Sequence, residues 1–252
     1  MDEKNTKINY YQKSQIEIDK IVREGKRPTI ALHACCGPCS TYPLEFLAPF
    51  FDITILYPNS NIYPSEEYFR RLNELKKYIE IFNKENGYSV KLVEFKYKNE
   101  EFNKKLEIYK DEPEGGKRCF LCFTLRMDEA YKYADELGFD YFATVMTISR
   151  QKNSQVLNKI GEELSAKYKT KYFYSDFKKK NGINRSYELR RKYNLYNQQY
   201  CGCVYSYAHY LTECKFMKKT RSAPPVGKSF PLFAILFHIT KRKCIHFNSK
   251  IQ

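Results

Sequence analysis

At 252 residues the chain is long enough to bury a core without disulfides or a structural metal as staples, so its nine cysteines need a reason other than stability. A formal charge of +15 points to a polyanionic partner, but nine Lys or Arg and no acidic residue fall within residues 215–252, which leaves the body only mildly basic. Residues 1–27 are polar and charged without a hydrophobic leader, so the expected compartment is a reducing cytoplasm, where clustered thiols are metal ligands or redox groups before they are disulfides.

The first 27 residues have the pattern of an amphipathic helix. Residues 28–40, PTIALHACCGPCS, then organise the rest of the chain. Residues 29–34 have the length of a buried strand, and Gly37 with Pro38 predicts a turn directly after Cys35 and Cys36. Thiols therefore arrive at the C-terminal tip of a strand, the edge at which open α/β sheets bind ligands. Adjacent side chains alternate sides along a strand, but past its end a turn can aim both at one centre, with Cys39 three residues on.

Residues 51–59 form a second predicted strand. A helix follows from Ser65, with Glu66 and Glu67 in its first turn and apolar residues at Tyr68, Phe69, Leu72, Leu75, Tyr78, Ile79 and Phe82, until Asn86-Gly87 ends it. Residues 90–97 supply a third strand, with Val93, Phe95 and Tyr97 expected on one face, and residues 100–109 a short helix. The loop KDEPEGGKRC leads to Cys119-Phe-Leu-Cys122, which opens a helix carrying Leu125, Ala130, Tyr133, Ala134 and Leu137. Lys117, Arg118 and the helix N-terminus all favour thiolate there. Residues 140–148 make a fourth strand, Val156, Leu157, Ile160 and Leu164 mark a helix, and residues 171–177 a fifth strand.

This alternation predicts an α/β fold over residues 1–177, a parallel sheet with helices on both faces. Residues 178–218, rich in Arg and Tyr, read as a helical extension that folds back to bring Cys201 and Cys203 near the site. Residues 219–252 are a basic tail of no assigned role. Its apolar run, 230–239, contains Pro231 and His238 and is too short to span a bilayer. Neither a Walker loop nor GxGxxG occurs.

A CC-x2-C group with a distant C-x2-C has three chemical readings. Four thiolates satisfy structural zinc, or an iron–sulfur cluster placed where electrons are needed, and either CxxC or CxC can act alone as a redox dithiol. Position at a strand tip favours a functional centre. His33 reads as a buried, hydrogen-bonded core histidine rather than a ligand, and most of the 23 Tyr and 18 Phe as packing rather than base-stacking residues. Cys214 and Cys244 stand alone and are taken as ordinary.

The segments LHACCGPCSTYPLE, GGKRCFLCFTLRMDEAYKYADELGFDYFATVMTIS and QQYCGCVYS, in that order, resemble the QueH-type epoxyqueuosine reductases over residues 30–207 and not over the tail. The resemblance implies a fold similar to the adenine-nucleotide alpha-hydrolases and a cytoplasmic enzyme that reduces epoxyqueuosine to queuosine at the wobble position of tRNA. The tRNA partner would carry a GUN-type anticodon, an electron donor would be a second partner, and no membrane is involved. By position, Cys35, Cys36, Cys119 and Cys122 would ligate a [4Fe-4S] cluster, and Cys39 an adjacent mononuclear iron. Cys201 and Cys203 would ligate metal or cycle between dithiol and disulfide. The unpaired wobble base can be splayed into a pocket, with Arg126, Arg150, Lys152, Arg185, Arg190 and Arg191 available for phosphates. The competing reading is a zinc-stabilised, non-catalytic RNA-binding protein on the same scaffold.

Overall fold

The structure, a computed structural model, describes residues 7–222, with side chains as far as Phe216. Nearly all of the basic tail, with Cys244 and the apolar run 230–239, lies outside the described residues. The chain divides into two compact units at the Asn197–Gln198 link.

In the first unit, α1 (Tyr10–Arg23) starts at Asn9, whose side chain accepts from Gln12 N, and buries Tyr10, Ser14, Ile18 and Ile21. Strand β1 (Thr29–His33) leads into α2 (Gly37–Leu47), then β2 (Asp52–Tyr57), α3 (Ser65–Asn86) and β3 (Lys91–Glu94). Helix α4 (Asn99–Leu106) ends in a short 3-10 turn before α5 (Lys117–Glu136), β4 (Tyr141–Thr144), a second 3-10 turn (Val145–Ile148), α6 (Ser154–Ser165), β5 (Lys171–Tyr172) and α7 (Gly182–Lys192). The second unit contains α8 (Val204–Ser222).

Among the described residues the sheet has five strands, all parallel, in the order β3-β2-β1-β4-β5. The chain winds outward from β1 through β2 to β3 and then returns to place β4 on the other side of β1. The two halves therefore diverge between β1 and β4, at the crevice where open α/β sheets place ligands.

Period-two alternation sorts the strand side chains onto two faces. Ile30 and Leu32 of β1, with Ile53, Ile55 and Tyr57 of β2, pack against α1, α2 and α3. Ala31, Leu56 and Phe142 pack on the other side against Phe123, Met127, Ala130 and Tyr131 of α5 and Leu157, Ile160 and Leu164 of α6. Tyrosines fill much of this core, as in the stack of Tyr131 on Phe142 with ring centroids 4.3 Å apart. Such packing matches the structural reading of the aromatic content.

Several elements depart from the sequence expectations. The predicted turn at Gly37-Pro38 is the first turn of α2, where proline is tolerated because its missing N–H would be unpaired anyway. The fourth strand stops at Thr144, because the Thr144 hydroxyl accepts from Met146 N at 3.2 Å and turns the chain into the 3-10 segment. The fifth is only Lys171–Tyr172. Val93 and Phe95 share a face, but Tyr97 packs in the opposite core since β3 has ended at Glu94. Helix α7 packs onto α2: Ser186 Oγ donates to Pro38 O at 3.3 Å, and Arg190 Nε donates to the same carbonyl at 3.2 Å.

Candidate metal centre

Past His33 the chain leaves the sheet through Ala34, Cys35 and Cys36 before α2 begins at Gly37. Ala34 N donates to Leu56 O at 3.0 Å, and Asn59 Nδ2 donates to Ala34 O at 2.7 Å, so the exit is fixed from β2 and the loop after it. Ser40 Oγ donates to Cys36 O at 2.9 Å and ties the first turn of α2 back to the exit. Within α2, Pro43 removes the amide that would bond the Cys39 carbonyl. This geometry gathers the thiols of Cys35, Cys36 and Cys39 within 4.8 Å of one another, all three buried.

Their electrostatics suit a set of cation ligands. The S–H groups of Cys36 and Cys39 bond to the Cys35 sulfur and, with Lys152 and Arg126 nearby, hold Cys35 well below the usual thiol range despite its burial. The same contacts push Cys36 well up and Cys39 up to about 11, since a second thiolate would stand against the first. A bound cation would offset that repulsion and let the other thiols ionise. Soft, buried sulfur donors at this spacing suit a thiophilic metal.

Cys119 and Cys122 occupy the first two turns of α5, one face apart by three residues. Gly115 N donates to Cys119 Sγ at 3.2 Å. Both stand outside the three-thiol group, but α5 packs on β1, and a buried arginine joins the CxxC turn to the strand exit. Arg126 Nε donates to Cys122 O at 3.4 Å, Nη1 to Asn59 Oδ1 at 3.3 Å and Nη2 to Met146 Sδ at 3.0 Å, while Asn59 holds Ala34 O. Two side chains thus span from the Cys122 carbonyl to the residue before Cys35.

Arg126 is 3% exposed, so its expected place among the phosphate contacts is corrected: it is a buried strut with a positive charge beside the thiols. A signal was present in the sequence. Arg126 lies four residues after Cys122, amid Phe123, Met127 and Ala130, which puts a cation on the buried face of a helix. Asn59, closing the second strand, gave no such signal.

His33 is fully buried, as expected of a core histidine, and its Nδ1 lies 2.9 Å from Thr144 Oγ1 on the neighbouring strand. Burial, reinforced by the Arg126 guanidinium, pushes the imidazole down to about 3, so it is neutral. Its Nε2 finds no hydrogen-bond partner among the described residues.

Residues 30–209 match the family model described as "Epoxyqueuosine reductase QueH". The chain belongs to the QueH family. It is 46% identical over 202 residues to the epoxyqueuosine reductase QueH of Streptococcus pyogenes serotype M1, covering 80% of this chain and 79% of that one. It is 44% identical over 205 residues to the QueH of Staphylococcus epidermidis, covering 81% and 86%, and 30% identical over 184 residues to that of Thermotoga maritima, covering 71% and 90%.

The QueH match extends through Cys201 and Cys203 in the second unit. There Cys203 leads into α8: Ser206 N donates to Cys203 Sγ at 3.4 Å, and Ser206 Oγ donates to Cys203 O at 3.0 Å. Gly202, at φ 134, makes the bend between the two cysteines.

The remaining expected phosphate contacts divide. Arg185 is held by Glu45 at 2.6 Å and Glu188 at 2.9 Å, and Arg190 by Pro38 O. Arg150 and Arg191 are exposed, and Arg150 donates to Tyr187 OH at 3.4 Å. Among the described residues no helix is long and apolar enough to cross a membrane.

Proposed function

We propose that this chain reduces epoxyqueuosine in tRNA to queuosine, in the cytoplasm. The observation that carries the proposal is a buried group of three thiols at the divergence of the sheet, in a chain that matches the QueH family over residues 30–209. The net reaction converts an epoxide to an alkene: the carbon–oxygen bonds break, oxygen leaves as water, and two electrons and two protons are consumed.

The donor set fits an iron–sulfur centre, because buried thiolates flanked by Arg126 and Lys152 match the soft metal and the charge it brings. Cys35, Cys36, Cys119 and Cys122 would hold a [4Fe-4S] cluster and Cys39 an adjacent iron. When bound, this group supplies electrons to the substrate, which zinc does not. Arg126 holds the CxxC helix against the strand exit and favours ionised sulfur at Cys35. The N-termini of α2 and α5 add their backbone dipoles at Cys39 and at Cys119 and Cys122. Cys201 and Cys203 serve as further ligands or as a dithiol that relays electrons from a separate donor.

The substrate is tRNA with a GUN-type anticodon. Its wobble nucleotide lies in an unpaired loop, so presenting it to a pocket needs no duplex opening, and exposed Arg150 and Arg191 suit its phosphates. Anaerobically purified protein, incubated with dithionite and tRNA bearing epoxyqueuosine, is expected to yield queuosine in the nucleoside digest. Binding of the same tRNA without turnover, by a colourless protein holding zinc, would instead establish the non-catalytic RNA-binding alternative.

A further inference from the structure

His33 is the last residue of β1, two positions before Cys35, and pairs in register with Thr144 of β4. Its two ring nitrogens are treated differently. Nδ1 meets the Thr144 hydroxyl at 2.9 Å, whereas Nε2 is buried without a partner among the described residues. An imidazole with a single N–H carries it on one ring nitrogen, and the hydrogen bonds of Thr144 assign which.

Thr144 Oγ1 already accepts from Met146 N at 3.2 Å, and among the described residues its own proton has one acceptor in reach, His33 Nδ1. If Nδ1 carried the proton, the hydroxyl would be a buried donor with nowhere to point and Nε2 a buried acceptor with nothing to accept. With the hydroxyl donating to Nδ1, a single group is left over: an N–H at Nε2. Buried donors are rarely left without an acceptor, so one leftover group is favoured over two, and that one calls for an acceptor that the described residues do not supply. The charged groups that act on the ring are Cys35, Arg126 and Lys152, the same ones that surround the thiol group.

We infer that His33, oriented by Thr144, is a positioning residue whose Nε2–H donates a hydrogen bond to a sulfur of the metal centre and thereby raises its reduction potential. The inference rests on the reading of the site given above. A donor aimed at cluster sulfur stabilises the reduced, more negative form, and hydrogen bonding to sulfur is one of the levers that set such potentials. In this role the imidazole acts as a fixed dipole rather than as a ligand.

The test is a redox titration of anaerobically purified full-length protein, followed by visible absorbance, in wild type, His33→Leu, His33→Gln and Thr144→Val. His33→Leu is expected to move the midpoint to more negative potential by about a tenfold change in the reduced-to-oxidised ratio, about 59 mV for one electron. His33→Gln, which keeps an N–H near Nε2, is expected to restore much of the shift. Thr144→Val, which releases the ring from its fixed tautomer, is expected to shift the midpoint the same way by less. Where His33→Leu does not hold iron, Thr144→Val and His33→Gln decide. Equal midpoints in the iron-loaded proteins would overturn the inference while leaving the centre intact. A wild-type protein free of iron and sulfide would overturn the reading of the site and this inference with it.

Discussion

The chemistry of this chain begins with sulfur atoms that stability does not require. Cys35, Cys36 and Cys39 repel one another as thiolates and are buried, an arrangement that costs free energy unless a cation joins them. Replacement of Cys35 or Cys122 by Ala is therefore expected to abolish bound iron and activity together, and Cys214→Ala to keep both, as read by metal analysis and turnover on modified tRNA. Equal iron in all three would refute the ligand assignment. These thiols were legible in the sequence because clustered cysteines in a chain this long have few other uses. The place of Arg126 was legible only from its spacing to Cys122 on the apolar helix face, a weaker signal than the resemblance of any arginine near a proposed RNA site to a phosphate contact. Its removal should be costly: in Arg126→Met, Asn59 Oδ1 and Cys122 O lose a buried donor, a loss of about 1–3 kcal/mol in urea unfolding of the apo-protein. Unchanged stability would show that the strut is dispensable.

At the scale of elements, the long periodic helices and the order of strands were readable, and what was not readable lies around the site. Helix α2 contains Gly37, Pro38 and Pro43, three residues that argue against a helix, and forms because Pro38 sits in its first turn and Leu44 and Leu47 are wanted in the core. The fourth strand was overestimated because Val145, Met146 and Ile148 continue its apolar run, while the Thr144 hydroxyl ends it by bonding Met146 N. On the far side of the sheet, α6 reaches β5 at Gly161, where a Cβ would collide with the Tyr172 ring. Gly161→Ala is expected to destabilise the protein by about 1–3 kcal/mol through overpacking, despite alanine's better helix propensity. A gain in melting temperature would mean that the ring has room to move.

For the molecule as a whole, the parallel order β3-β2-β1-β4-β5 explains why the thiols are where they are: the sheet diverges between β1 and β4, and the residues that follow both strands, Cys35 and Cys36 on one and the Thr144 turn on the other, face one crevice. The CxxC comes from a helix on one face of the sheet and the CC-x2-C from a loop feeding a helix on the other, so a metal bound by both would cross-link the two layers. Chelation under anaerobic conditions is accordingly expected to lower the melting temperature of the protein, an effect of mass action on the folded state that structural zinc would share. Iron and sulfide therefore discriminate where stability does not. The most direct test of the central claim is analysis of anaerobically purified protein for iron, zinc and acid-labile sulfide, with its visible spectrum before and after dithionite. Iron and sulfide in near-equal amounts with iron in slight excess, and a broad absorbance that dithionite bleaches, are expected; a colourless protein with zinc and no sulfide would refute the iron–sulfur centre.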